Sequence, residues 1–233
     1  TGENVKLGLN WECPNFFQLT ENKNLWMLIV SAHREVAYCL GKFENHQFHP
    51  LKWHYLDHSA RFYAPNSFVD HQGRNIVIGW IRTKNEARWN GSFSLPRVVE
   101  LNPDGKTINA LPIPEIKQLR DKHKSVEEIT IERNKSKNLL KIEEFKLLSE
   151  YIQEQSLEIL LQIKPISGTN KLPAFYVEFF EDKRLIMQGT MGYEPEEERF
   201  FFGRESGIFR LEEDEELLEV RLFIDREIFE VFL

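Results

Sequence analysis

Residues 218–225 read LEVRLFID, and the alternation in those eight letters decides the class of fold. Leu218, Val220, Leu222 and Ile224 fall on one side of an extended chain, and Glu219, Arg221 and Asp225 on the other. Patterning of period two puts one face on a core and leaves the other in water, as in a half-buried antiparallel strand. SLEILLQIK at 156–164 repeats it with Leu157, Ile159, Leu161 and Ile163. Strands of this kind, in a region without tryptophan and rich in charge, predict a two-sheet β-sandwich for the second half of the chain. NLLKIEEFKLLSEYIQEQ (138–155) is the exception, because Ile142, Phe145, Leu148 and Ile152 have helical spacing although they sit among strands.

Upstream, the chain reads as short strands broken by turns. LWMLIVSA (25–32), EVAYCLGKF (35–43), Phe62 to Val69 and RNIVIGWIR (74–82) are strand candidates, with His71-Gln72-Gly73 as a turn. Strands of this length at even spacing suit a sandwich or a propeller. All five tryptophans, at 11, 26, 53, 80 and 89, fall in this half, where aromatic faces could stack on sugar rings. LPIPEIKQLRDKHK, with two prolines, a short helical stretch and a polar run, marks a boundary. The expected organisation is 1–118 as one domain, 119–125 as linker and 126–233 as the sandwich.

Composition excludes several classes of function. The net charge is −7 and the lysines and arginines are scattered, so no basic footprint for nucleic acid is present. Cys13 and Cys39 make neither a disulfide framework nor a metal-ligand spacing, and the histidines include no helical His-x-x-x-His pair, so no metal or cofactor is expected. No apolar run approaches 18 residues and no signal peptide is visible, so no membrane partner is expected and the compartment stays open. The acidic runs EPEEE (194–198) and EEDEE (212–216) read as solvated turns between strands. Asn90-Gly-Ser and Asn134-Lys-Ser fit the glycosylation triplet, which often arises by chance.

The chemistry concentrates in Trp11-Glu12-Cys13-Pro14. Two readings are open for this tetrapeptide alone. In one, Glu12 starts a strand with its carboxylate in solvent. In the other, apolar neighbours let it hold its proton near neutral pH and act as a general acid, with the Cys13 thiol as a weak neighbouring donor.

WECPNFFQL resembles the acid/base motif of the family-32 glycoside hydrolases, the invertases, inulinases, levanases and sucrose-6-phosphate hydrolases. YCLGKFENHQFHPL, LDHSARFYAPNSFVD, GRNIVIGWIR, WNGSFSLPRVVEL, LPIPEIKQLR and FIDREIFEVF follow in the family's order, so the resemblance runs from Trp11 to the last residue. It implies an all-β fold, part of a five-bladed β-propeller followed by a β-sandwich, and retaining hydrolysis of a β-fructofuranosyl bond. Glu12 is then the acid/base. Cys13, Asp57, Arg61, Tyr63 and Trp80 become substrate-binding candidates for a small sugar such as sucrose, its phosphate or a fructan, although Tyr63 and Trp80 also fit simple packing. Many relatives read Asp-x-Gly-x-Asp before Phe-Tyr-Ala, whereas this chain has Ser59 for the glycine and Arg61 for the second aspartate. That change either favours an anionic substrate or lets Arg61 pair with Asp57, and the pairing is the preferred reading. Arg97, in SLPRVVEL, is expected to serve the fold by binding carboxylates or carbonyls.

The family's nucleophile lies in a Trp-Met-Asn-Asp-Pro-Asn-Gly type motif that this sequence does not contain, and no Arg-Asp-Pro occurs. The motif order therefore suggests three later blades and most of a sandwich, with further blades upstream in a longer chain. One carboxylate cannot run a double displacement, so this segment alone is expected to be inactive, and its open blades to expose sheet edges. The competing expectation is a non-catalytic sugar-binding or inactive form of the same fold.

Overall fold

The computed structural model describes residues 5–32, 34–83, 90–123, 125, 128–132, 156–165, 172–181, 184–210, 217–225 and 228–233. These are almost wholly β-strand, apart from one 3₁₀ segment at Pro114–Leu119. They divide into two compact units, Thr1–Pro114 with Gly203–Ile208, and Glu115–Phe202 with Phe209–Leu233.

The first unit holds two antiparallel sheets. β1 (Trp11–Gln18), β2 (Trp26–Ala32), β3 (Glu35–Glu44) and β4 (Gln47–Asp57) lie side by side in chain order. β2 and β3 are central, and their near-continuous apolar runs are buried on both faces, whereas β1 pairs only with β2 among the described residues and is largely exposed. Asn45 and His46 join β3 to β4 with φ of 50° and 61°, as a two-residue hairpin whose twist matches its strands requires. The second sheet orders β5 (Phe62–Val69), β6 (Asn75–Ile81), β8 (Arg97–Leu101) and β9 (Ile108–Pro112), with the short β7 (Ser92–Phe93) also on β6. Met27, Ile29, Val36, Tyr38 and Leu40 of the first sheet share one buried cluster with Phe62, Tyr63, Val77 and Val99 of the second. The four stretches expected as strands are strands, and among the described residues of this unit they lie in one sheet of four strands and one of five.

On the first sheet Phe16, Trp26, Phe43 and Phe48 form a ring cluster, with Phe16 stacked on Trp26 at 4.9 Å, and Phe16 and Phe43 stay exposed. Cys39, by contrast, is fully buried in β3, and burial pushes its thiol up to about 12.

The second unit carries the sandwich. β10 (Ser156–Ile163), β15 (Leu218–Asp225) and β16 (Ile228–Phe232) form one of its sheets, and β11 (Phe175–Glu181), β12 (Arg184–Glu194) and β13 (Arg199–Phe202) make up the other, while β14 (Glu205–Ile208), next in chain order, falls in the first unit. Ile159 faces Leu222, Leu161 faces Val220 and Ile163 faces Leu218, so the two alternating stretches meet in register with their apolar sides together. They pack with Leu172, Met191, Tyr193 and Phe200 into a second core. On the polar side, Glu158 accepts from Arg120 Nε at 2.6 Å and from Arg221 Nη2 at 2.8 Å. Residues 195–198 of the EPEEE run do form a turn, with Arg199 bonded to Glu194 and Glu197, and Arg210 to Glu198. Residues 138–155 and the EEDEE run lie outside the described residues.

Leu218, 1% exposed, should cost about 2–5 kcal/mol when truncated to alanine, whereas Glu219→Ala on the outer face should stay within about 0.5 kcal/mol. Urea denaturation of the two variants checks this. The bond from Arg120, then that from Arg221, holds the Glu158 carboxyl below its ordinary range. A depressed folded value means that its contribution is present above the unfolded value and is lost as pH falls through the folded one. The stability gap between the wild type and Glu158→Gln should therefore be full at neutral pH and shrink below about pH 4, as denaturation at stepped pH would show.

Candidate functional site

Glu12 lies at the start of β1, immediately before a bulge. Cys13 adopts φ 48°, and the β1–β2 register shifts between Glu12 and Asn15. β5 has a matching irregularity, with Ala64 at φ 44° and a shift between Tyr63 and Asn66. Left-handed backbone at a non-glycine residue costs roughly 1–2 kcal/mol, so surrounding bonds must hold it in place. Asn15 supplies several of them. Its Nδ2 donates to the Cys13 carbonyl at 3.1 Å and the Pro65 carbonyl at 2.8 Å, and its Oδ1 accepts from the Ser67 N–H and hydroxyl. The Ala64 N–H donates to the hydroxyl of Ser31, a fully buried residue paired opposite Glu12 on β2.

The two bulges bring Tyr63 to Glu12. The Tyr63 hydroxyl donates to Glu12 Oε2 at 2.9 Å, and Asn10 Nδ2 donates to Oε1 at 2.8 Å. Tyr63 is 8% exposed, and burial, then the bond to Glu12, pushes its phenol above the ordinary range, so it remains a proton donor at neutral pH. The Arg82 guanidinium lies 4.4 Å from the centre of the Tyr63 ring.

Glu12 itself is exposed among the described residues. Among the described residues β1 has β2 as its one neighbouring strand. Trp11, 48% exposed, sets its ring edge against Trp53 at 5.3 Å and donates its indole N–H to Leu7. Cys13 is also exposed, and it contributes its carbonyl to Asn15 rather than its thiol to Glu12.

The preferred Arg61–Asp57 pairing is corrected. Asp57 Oδ2 is held by Arg97 Nη1 at 2.6 Å, and Oδ1 accepts the Ser59 N–H. Ser59 Oγ in turn accepts the Arg61 N–H, and Arg61 Nη1 goes to the Arg82 carbonyl at 3.2 Å. Arg97, 6% exposed and 4.4 Å over the Phe62 ring, anchors a carboxylate in the fold as its position in the sequence suggested. Trp80 is half-buried against the core, directly opposite Tyr63 on β5 and Phe93 on β7. Its indole N–H donates to the Asn90 carbonyl at 3.2 Å. Gly91 follows at φ +100°, where a Cβ would stand 1.8 Å from that indole nitrogen, so only glycine fits.

Of the sequence candidates, then, Glu12 and Tyr63 touch, Trp80 lies behind Tyr63, and Asp57 is engaged elsewhere. Sequence reasoning missed Asn10, Asn15 and Arg82, although Arg82 closes the quoted motif GRNIVIGWIR. Among the described residues no three His, Cys, Asp or Glu side chains gather as metal ligands. What the site offers is one solvent-reaching carboxyl, oriented by two donors, that can give and take a proton.

Residues 1–112 match the family model described as "Glycosyl hydrolases family 32 N-terminal domain". A sucrose-6-phosphate hydrolase of Vibrio alginolyticus is 35% identical over 136 residues, covering 49% of this chain and 27% of that protein. One from Staphylococcus xylosus is 22% identical over 97% of this chain and 47% of its own length. The chain thus spans between about a quarter and a half of these curated relatives. The solved sucrose-6-phosphate hydrolase of Lactobacillus gasseri matches with a TM-score of 0.65 and 17% identity, over 99% of this chain and 49% of that one. The likeness shows the fold, part of a five-bladed β-propeller followed by a β-sandwich.

Replacing Arg97 by methionine strands Asp57 without its ion-pair partner. The first unit should lose about 3–5 kcal/mol, read as a lower denaturation midpoint, and an unchanged midpoint would rule out the anchoring role.

Proposed function

Because the chain belongs to glycosyl hydrolase family 32, we propose that the protein it forms hydrolyses β-fructofuranosidic bonds with retention, with Glu12 as general acid/base. The observation that carries this reading is the Glu12 carboxyl, fixed by Tyr63 and Asn10 at a pair of facing bulges. In the first half-reaction a carboxylate attacks the anomeric carbon while protonated Glu12 gives its proton to the leaving oxygen. In the second, the Glu12 carboxylate takes a proton from water, which attacks the glycosyl ester and frees the nucleophile. Tyr63 and Asn10 keep the carboxyl aimed through both halves.

Double displacement needs a second carboxyl roughly 5–5.5 Å from the first. In this proposal it belongs to the family's Asn-Asp-Pro motif, which residues 1–233 do not contain, so these residues supply the acid/base half alone and are inactive by themselves. The relatives named sucrose-6-phosphate hydrolases support sucrose or its phosphate as substrate, and the fructan 1-exohydrolase w3 of Triticum aestivum, 29% identical over 139 residues, keeps fructans within the class.

The test is fructose release from sucrose, sucrose phosphate and inulin by the full-length protein. At least one substrate should turn over, and Glu12→Gln should lose about 10²–10⁴-fold of the rate. A full-length protein inert on all three would end the hydrolase reading and leave a sugar-binding scaffold.

A further inference from the structure

Arg74, Arg97, Arg120, Arg199, Arg210 and Arg221 each hold a carboxylate in an ion pair. Arg61 and Arg82 do not. Both are half-buried, and their side-chain hydrogen bonds run to carbonyls: Arg61 to Arg82, and Arg82 to Ala60 and, at 3.1 Å, to Arg34. The Arg82 N–H also donates to the Arg61 carbonyl at 2.8 Å, which straps the end of β6 to the loop before β5. Each guanidinium is thereby tied to the other residue's stretch of backbone, and neither has a carboxylate partner among the described residues. Asp57 is committed to Arg97 and Ser59, and Glu12 to Tyr63 and Asn10.

A partly desolvated charge without a counter-ion is unfavourable, and an anion would relieve it. Each guanidinium carries five N–H donors in a planar fork, and the carbonyl bonds leave several of them unused. That geometry matches phosphate. The location narrows the ligand further. Arg82 lies on the ring of Tyr63, whose hydroxyl touches the acid, and an acid/base residue protonates the leaving oxygen. This side of the site therefore meets the leaving sugar.

We propose that Arg61 and Arg82 form an anion site that reads a phosphate on the leaving hexose, making Arg61 a specificity residue. The inference rests on the β-fructosidase reading above, and the experiment separates the two. In the full-length protein, kcat/KM is measured for sucrose and for sucrose phosphorylated on its glucosyl C6, in the wild type, Arg61→Gln and Arg61→Lys. The wild type should prefer the phosphorylated sugar. Arg61→Gln should cut the ratio of the two kcat/KM values roughly tenfold to a hundredfold, with the loss in KM, and Arg61→Lys should restore part of it. A wild type without the preference, or a ratio that Arg61→Gln leaves unmoved, overturns the site. Calorimetry with glucose 6-phosphate works without turnover. Binding that weakens in Arg61→Gln, in a protein that hydrolyses nothing, keeps the anion site and removes the hydrolase. Equal binding by both proteins removes the anion site even if sucrose is cleaved.

Discussion

The side-chain amide of Asn15 is the constraint on which the rest of the site depends. It is a short polar group between two sheets, and each end of it is used, the nitrogen on carbonyls of both strands and the oxygen on the Ser67 N–H and hydroxyl. A strand bulge alone re-aims one side chain. Two bulges locked to a common amide re-aim two side chains toward each other, which is how residues 12 and 63 come within hydrogen-bond distance. Loss of that amide would leave both left-handed residues without the bonds that hold them and would separate the phenol from the carboxyl before disturbing either core.

Charge at the site is partitioned by which carboxylates are already in use. Asp57 looks available in the sequence, yet Arg97 reaches it from β8 through a nearly dry path, and the turn at Ser59 takes its other oxygen. Arg61 is thereby turned toward the end of β6, where Arg82 already stands over the Tyr63 ring. The structural arginine and the arginine free to meet a ligand are thus separated by one strand-to-strand ion pair.

Legibility in the sequence followed the range of the interaction. Alternation at 156–163 and 218–225 gave strands and their apolar faces, because period two is a local property of the chain, whereas the pairing of the two strands and its register came from the structure. The apolar runs of β2 and β3 gave central strands for the same local reason. Glu12 was legible as a candidate acid through its motif, but the sequence left open whether its carboxyl is exposed or enclosed, since that depends on what lies beside β1, which among the described residues is β2 alone. The Tyr63–Glu12 bond spans 51 residues and needs two bulges that no local propensity announces, because neither Cys13 nor Ala64 is a residue type that favours positive φ. Arg61 was misassigned because nearness in sequence to Asp57 outweighed Arg97, which is 40 residues away.

The two cysteines end in opposite circumstances. Cys39 lies fully inside a sheet with a thiol that stays protonated at any ordinary pH, while Cys13 is exposed on the bulge beside the acid. A thiolate is the reactive species toward alkylating reagents, so the folded chain has one address for a maleimide dye, and it is next to Glu12. A fluorophore placed there would sit beside the proposed acid/base, with no engineered cysteine and no competing label in the core.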